Sequence, residues 1–208
     1  HRLMVDVHDE YRTTGYERTY PNLMTVEGIG GDETTPEPEQ TLTYQFARFL
    51  SGPADNTVCY FDGRVPKMSS HAFQLAKPAC LYSPWQFLFW YDRPSADSGE
   101  PELEFWERMP ATWDETRVLA GEIGEFSAVA RRKGDAWFIG CMNGARGREL
   151  PLALDFLEPG KRYTATIYSD DPSLGTRTKV RVDSREVDRS ATLRAALPAR
   201  GGQAIHIA

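Results

Sequence analysis

The chain has 208 residues, 40% of them hydrophobic and 12% aromatic, enough for a substantial core in one large domain or two small ones. Its 30 acidic against 24 basic side chains leave a net charge of −6, the wrong sign for a surface that grips nucleic-acid phosphates, and no stretch is an uninterrupted apolar membrane span. The three cysteines, Cys59, Cys80 and Cys141, are odd in number and lack metal-ligand spacing, so buried free thiols are expected.

In chain order, Leu3 to Val7 reads as a short, largely buried strand with His8 and Asp9 at its C-terminal end. The chain enters that strand almost at once and shows no signal-peptide pattern, which leads us to expect further sequence upstream. Tyr11 to Glu39 is rich in glycine and proline and reads as a long, ordered, functional loop. Leu42 to Leu50 suits a strand or short helix, stopped by Ser51-Gly52-Pro53. Ser69-Ser70 should cap a helix from His71 to Leu81, with Pro78 forcing a kink or an earlier stop. Gln86 to Tyr91 reads as a buried strand, Arg93 to Pro101 as a hinge, and Glu102 to Met109 as a short helix.

From Val118 the pattern changes to short strand-like runs separated by turns such as Lys133-Gly134-Asp135, Asn143-Gly144 and Pro159-Gly160. The runs are 125–130, 136–142, 150–154, 162–168, 179–182, 191–196 and 203–207, a spacing that suggests an antiparallel β-sandwich. The fold class is therefore α/β plus all-β, with an α/β part over 1–108 and a β domain over 109–208.

Two groups of residues could carry chemistry. His8, Asp9 and Glu10 end a buried strand, where an α/β barrel keeps its catalytic side chains, though a strand end also simply meets solvent. Glu27 and Glu33 flank Gly28, Gly30 and Gly31, backbone able to wrap carboxylates around a hard cation or present them for acid–base work; a solvated pair is the plainer alternative. His71 heads an apolar helix, the usual place of a structural histidine. Asp92, Asp114, Glu115, Asp170 and Asp171 read as turn or cap residues, and Trp90, Trp106 and Trp137 as core. No phosphate-binding glycine loop, nucleophile elbow or zinc spacing is present.

The run VDVHDEYRTTGYERTYPNLMTVEGIGGDE at 5–33 resembles the late-barrel segment of glycoside hydrolase family 97, a family of α-glucosidases and α-galactosidases. FARFLSGPAD at 46–55, HAFQLA at 71–76, SPWQF at 83–87, TWDETRVLAGEIGEFSAVARR at 112–132, WFIGCMN at 137–143, LDFLEPGKRY at 154–163 and GGQAIHI at 201–207 extend the likeness along the chain. The resemblance implies the end of a (β/α)8 TIM barrel followed by an antiparallel β-sandwich domain, with the first barrel strands and a large N-terminal sandwich outside this sequence. It implies hydrolysis of terminal α-linked glucose or galactose from oligosaccharides with calcium assistance, in a periplasmic or extracellular setting.

Carried over by position, Glu33 matches the general acid and Glu27 a calcium ligand, while His8 matches a substrate-contacting histidine. His71 is a second candidate substrate contact. Asp9 falls where inverting members have a glutamate that is both general base and calcium ligand, and where retaining members have glycine; the expected metal set is Asp9, Glu27 and Glu33. An aspartate there keeps the carboxylate but shortens its reach, in chemistry that needs roughly 6.5–9.5 Å between carboxyl groups for inversion and about 5–5.5 Å for retention. The alternative is a non-catalytic fragment, structural or carbohydrate-binding, that lacks the upstream half of an active site.

Overall fold

The computed structural model describes residues 2–9 and 13–208; Glu10, Tyr11 and Arg12 lie outside the described residues. The C-terminal half is built on an antiparallel sheet of six strands: β5 (Glu115–Glu122), β6 (Phe126–Lys133), β7 (Ala136–Asn143), β9 (Tyr163–Asp170), β10 (Val180–Val187) and β12 (Gly202–Ile207), in the order β10-β9-β12-β7-β6-β5. The strands β8 (Arg148–Ala153) and β11 (Thr192–Leu197) pair with each other and cover one face of that sheet. Period-two alternation decides what each face meets. Trp137, Ile139 and Cys141 of β7 point toward Leu150, Leu152, Leu193 and Ala195, whereas Phe138 and Met142 point to the opposite face.

That opposite face is covered by the preceding half of the chain. Helix α4 (His71–Cys80) lies on it, and Ala72, Phe73, Leu75, Ala76 and Ala79 share one core with Phe105, Phe138, Met142, Tyr168 and Ala204. The change in pattern near residue 109 thus marks a change of secondary structure, while one core runs across it. Helix and sheet touch almost backbone to backbone. A Cβ on Gly140 would stand 2.6 Å from the Ala76 carbonyl oxygen, and one on Gly202 would meet Phe73 backbone. Ser70 caps the helix by accepting from Phe73 N at 3.0 Å, as the sequence suggests. Pro78 does not end the helix, which continues to Cys80 before Leu81 turns extended.

Ahead of α4, β1 (Val5–Val7) runs parallel to β2 (Leu23–Val26), while β3 (Thr57–Val58) pairs in parallel with β4 (Phe87–Leu88), which follows the helix. Short helices α1 (Tyr16–Thr19), α2 (Pro38–Tyr44) and α3 (Val65–Met68) lie between these strands, and α5 (Glu104–Arg108) leads into β5. Several expectations are corrected here. The supposed long loop contains a strand, β2, whose Val26 and neighbouring Thr25 are buried. Leu3 to Val7 is not a largely buried strand: Leu3, Met4 and Val5 are exposed, because β1 is hydrogen-bonded to β2 on one side only among the described residues. Gln86 to Tyr91 is a strand for two residues only, and positive φ at Phe89 and Tyr91 breaks it. The edge strand β5 begins before the expected change of pattern; Val118 on it is 70% exposed, so no buried alternation advertises it.

All three cysteines are buried free thiols, with burial pushing Cys59 and Cys80 up to about 12. Among the described residues, no helix is long and apolar enough to cross a membrane. The close helix–sheet contact is testable. Gly202→Ala should destabilise the fold by about 1–3 kcal/mol through overpacking, lowering the urea midpoint at unchanged m-value. Gly175→Ala, where a Cβ meets open space, should stay within about 0.5 kcal/mol.

Candidate active site

The parallel register of β1 and β2 aligns Val7 with Val26, so the residues after them, His8 and Glu27, emerge side by side at the strands' C-terminal ends. Glu27 N donates to Val7 O at 2.9 Å, and the Arg48 guanidinium donates to the carbonyls of Val26 (2.7 Å) and Glu27 (3.1 Å), fixing the backbone from which the Glu27 side chain springs. Asp9 has φ +68°, in the left-handed region that glycine enters freely and aspartate tolerates better than most residues. His8, Asp9 and Glu27 each place a potential ligand atom within 4.8 Å of the others.

Behind His8 stands a second carboxylate pair that the sequence reading did not single out. Its Nδ1 lies 3.3 Å from Asp55 Oδ2, 3.5 Å from Glu27 Oε2 and 4.0 Å from Asp6 Oδ2. The Asp55 side chain is fully buried, and among the described residues Asp6 Oδ1 and Asp55 Oδ1 are buried oxygens without a hydrogen-bond partner. Burial, with the Asp6 carboxylate beside it, pushes Asp55 up to about 7. Burial also raises Asp6 and Glu27. For His8, burial favours the neutral ring, but the Glu27 and Asp55 carboxylates outweigh it and the net shift is upward. Phe87 and Trp90 pack around the imidazole with ring centroids 6.0 and 5.9 Å away; Trp90 is thus half-buried beside the site, not in the core as its apolar run suggested.

Glu33 sits on a 3-10 turn, Asp32–Thr34. Its Oε1 accepts from Gly31 N at 3.1 Å, and its Oε2 accepts from the Thr57 hydroxyl on β3. Gly31 has to be a glycine, since a Cβ there would collide with the Thr57 hydroxyl and the Glu33 carboxylate. His8, Asp9, Glu27 and Glu33, with Gln40 and Tyr44, line one cavity of about 770 Å³.

The structure brings together His8, Asp9, Glu27 and Glu33 in one cavity, and it departs from expectation at Glu33 and His71. Glu33 shares the cavity but not the ligand group of His8, Asp9 and Glu27, because its two oxygens are engaged by Thr57 and Gly31. His71 does not line the cavity. Its ring packs edge-on against Tyr60 at 5.3 Å, and burial pushes it down to about 4, as suits a neutral structural histidine. Of the expected turn or cap residues, Asp171 accepts from Ser173 N in its own turn, whereas Asp92, Asp114 and Asp170 accept amides from distant segments and Glu115 stands on β5, paired with Arg117 and Arg132. Asp55 could have been suspected from its place beside Gly52-Pro53, whereas Asp6 between two valines carries no separate signal.

These carboxylates fit a hard divalent cation. Four of them, Asp6, Asp9, Glu27 and Asp55, surround a single imidazole, two buried oxygens of Asp6 and Asp55 lack partners among the described residues, and burial already disfavours the ionised forms of Asp6, Glu27 and Asp55.

The raised Asp55 carboxyl has a measurable consequence. The folded chain keeps a proton that the unfolded chain loses above its ordinary value of 3.8, so stability is lost as pH rises toward 7. His8, also raised, acts in the same direction. In urea unfolding with a chelator present, Asp55→Asn should flatten the fall in stability between about pH 5 and 7; an unchanged slope would count against the buried pair.

Comparison with known proteins identifies the family. Residues 112–208 match the family model described as "Glycosyl-hydrolase 97 C-terminal, oligomerisation". The chain is 30% identical over 229 residues to a retaining alpha-galactosidase of Bacteroides thetaiotaomicron, covering 100% of this chain and 34% of that protein. It is 36% identical over 159 residues to a probable retaining alpha-galactosidase of Streptomyces bingchenggensis, covering 74% of this chain and 25% of that protein. Among solved structures, a glycoside hydrolase family 97 enzyme in complex with acarbose, from Pseudoalteromonas sp. strain K8, superposes with a TM-score of 0.89 at 30% identity over 99% of this chain and 35% of the other. A beta-arabinopyranosidase superposes with a TM-score of 0.82 at 26% identity, over 98% of this chain and 34% of the other. The chain spans about a third of the length of these relatives, and it belongs to glycoside hydrolase family 97.

Proposed function

We propose that this chain supplies the proton-donating side of the active site of an α-glycosidase that releases terminal α-linked galactose or glucose from oligosaccharides. The observation that carries the reading is Glu33, held at the cavity wall by Thr57 and Gly31 N, sharing that cavity with Asp9, Glu27 and His8. The names of the relatives favour galactose, being retaining alpha-galactosidases at 30% and 36% identity. The family 97 enzyme solved with acarbose and, as a variant, with panose keeps glucose in view. Kinship alone supports a periplasmic or extracellular setting and a reading of the α/β part as the end of a TIM barrel.

In this mechanism Glu33 protonates the departing glycosidic oxygen as the bond to the anomeric carbon breaks. Thr57 and the Gly31 amide hold its carboxyl in one orientation, so no rotamer search precedes the transfer. His8, braced by Asp55 and walled by Phe87 and Trp90, offers its ring to a sugar hydroxyl. Asp9 and Glu27 would hold a calcium ion, which supplies Lewis-acid polarisation of a bound sugar oxygen. The relatives' names, retaining alpha-galactosidases, lead us to read the reaction as retaining, with attack on the anomeric carbon falling to a group outside these residues. Glu33 then returns as general base, taking a proton from the water that releases the sugar.

In the full-length protein, Glu33→Gln should lower kcat about 10²–10⁴-fold on aryl α-galactosides with poor leaving groups; unchanged turnover would sink the assignment. Proton NMR of the first-formed sugar should show the α-anomer, and the β-anomer would overturn retention. Calcium added to chelated protein should raise the melting temperature, and Glu27→Gln should abolish that rise.

A further inference from the structure

We propose that Lys77 is a positioning residue for the acid: its buried ion pair with Asp32 fixes the turn from which Glu33 reaches the cavity. The inference rests on the reading of Glu33 above. Lys77 lies on α4 beside Phe73 and Gln74, facing the segment that carries Asp32, Pro38 and Thr41, and its side chain is 1% exposed. Asp32, also 1% exposed, receives the Lys77 ammonium on Oδ1 and the Cys59 amide on Oδ2 at 2.8 Å. Both oxygens of one carboxylate are therefore committed, one to the helix and one to the segment just after β3.

Glu33 is the next residue of the same turn. The Arg64 guanidinium closes the turn from outside by donating to the carbonyls of Asp32 (3.4 Å) and Glu33 (3.3 Å). Adjacent carboxylates thus have divided parts: Asp32 faces the helix and anchors, while Glu33 lines the cavity. The anchor is stiff because α4 itself has no slack against Gly140 and Gly202 of the sheet. A buried ion pair contributes little net stability over an apolar pair of similar size. What an apolar pair does not provide is a directed attachment, and a catalytic group needs one, since a displacement of about 1 Å can cost about 10²-fold in rate.

The test uses full-length enzyme and a series of aryl α-galactosides whose leaving groups range from needing no proton to needing one fully. Lys77→Met should reduce kcat about 10²-fold on the poorest leaving group and less than about threefold on the most activated, with KM little changed. A folded Lys77→Met enzyme with equal losses across the series, or with none, overturns the proposal. Should that variant fail to fold, the double variant Asp32→Leu/Lys77→Met removes both charges together. Lys77→Arg keeps the charge but moves its centre. Either is expected to steepen the dependence on leaving group, and a wild-type slope in a folded variant overturns the inference. Glu33→Gln, run alongside, separates the two readings. If it shows no leaving-group dependence, the acid assignment fails; if it does and the Lys77 variants do not, only the positioning role fails.

Discussion

The close seat of helix α4 on the six-stranded sheet is the constraint on which the rest of this structure depends. Gly140 and Gly202 leave no side chain between helix backbone and strand, so the helix has one available height above the sheet. Every side chain the helix carries inherits that precision. Ala72, Ala76 and Ala79 fill the shallow gap, and Lys77 is delivered to Asp32 at a depth where water cannot substitute for the partner. The β domain thereby sets the position of a turn that lines the cavity.

Charge is managed in two opposite ways a few residues apart. Asp32 is fully compensated, with a lysine on one oxygen and an amide on the other, and it behaves as a fixed strut. Around His8 the balance is the reverse: Asp6, Asp9, Glu27 and Asp55 crowd one imidazole, and two buried oxygens are left without partners. Burial without compensation raises the carboxyl pKa values and stores unfavourable energy that a bound cation would relieve. The contrast is between a compensated scaffold pair and an uncompensated cluster of carboxylates, and both are made from the same residue types.

Much of the fold was legible from the chain because its signals are local. Ser70 capping α4, the turn glycines, and the alternation in β6 to β9, β11 and β12 depend on neighbours in sequence, and these elements lie within a few residues of their expected bounds. Where local signals compete with tertiary context, the reading failed. β2 lies inside a glycine- and proline-rich stretch and exists because β1 pairs with it. β5 is exposed at the sheet edge and so lacks a buried stripe. The QFLFWY run is apolar enough for a strand, but two residues of positive φ turn it, and its Trp90 lies against His8.

By itself the sequence determined the residue types and their order: a histidine and an aspartate ending a strand, two glutamates around three glycines, and motifs sufficient to place the chain in its family. Only the tertiary structure decided which of them meet. It joined Asp55 to His8 across 47 residues and Lys77 to Asp32 across 45, and it set His71 against Tyr60 away from the cavity. The physical reason is that burial and charge compensation are properties of position in space. A lysine inside an apolar helix and an aspartate after two glycines carry no mark of each other until the helix is laid on the sheet.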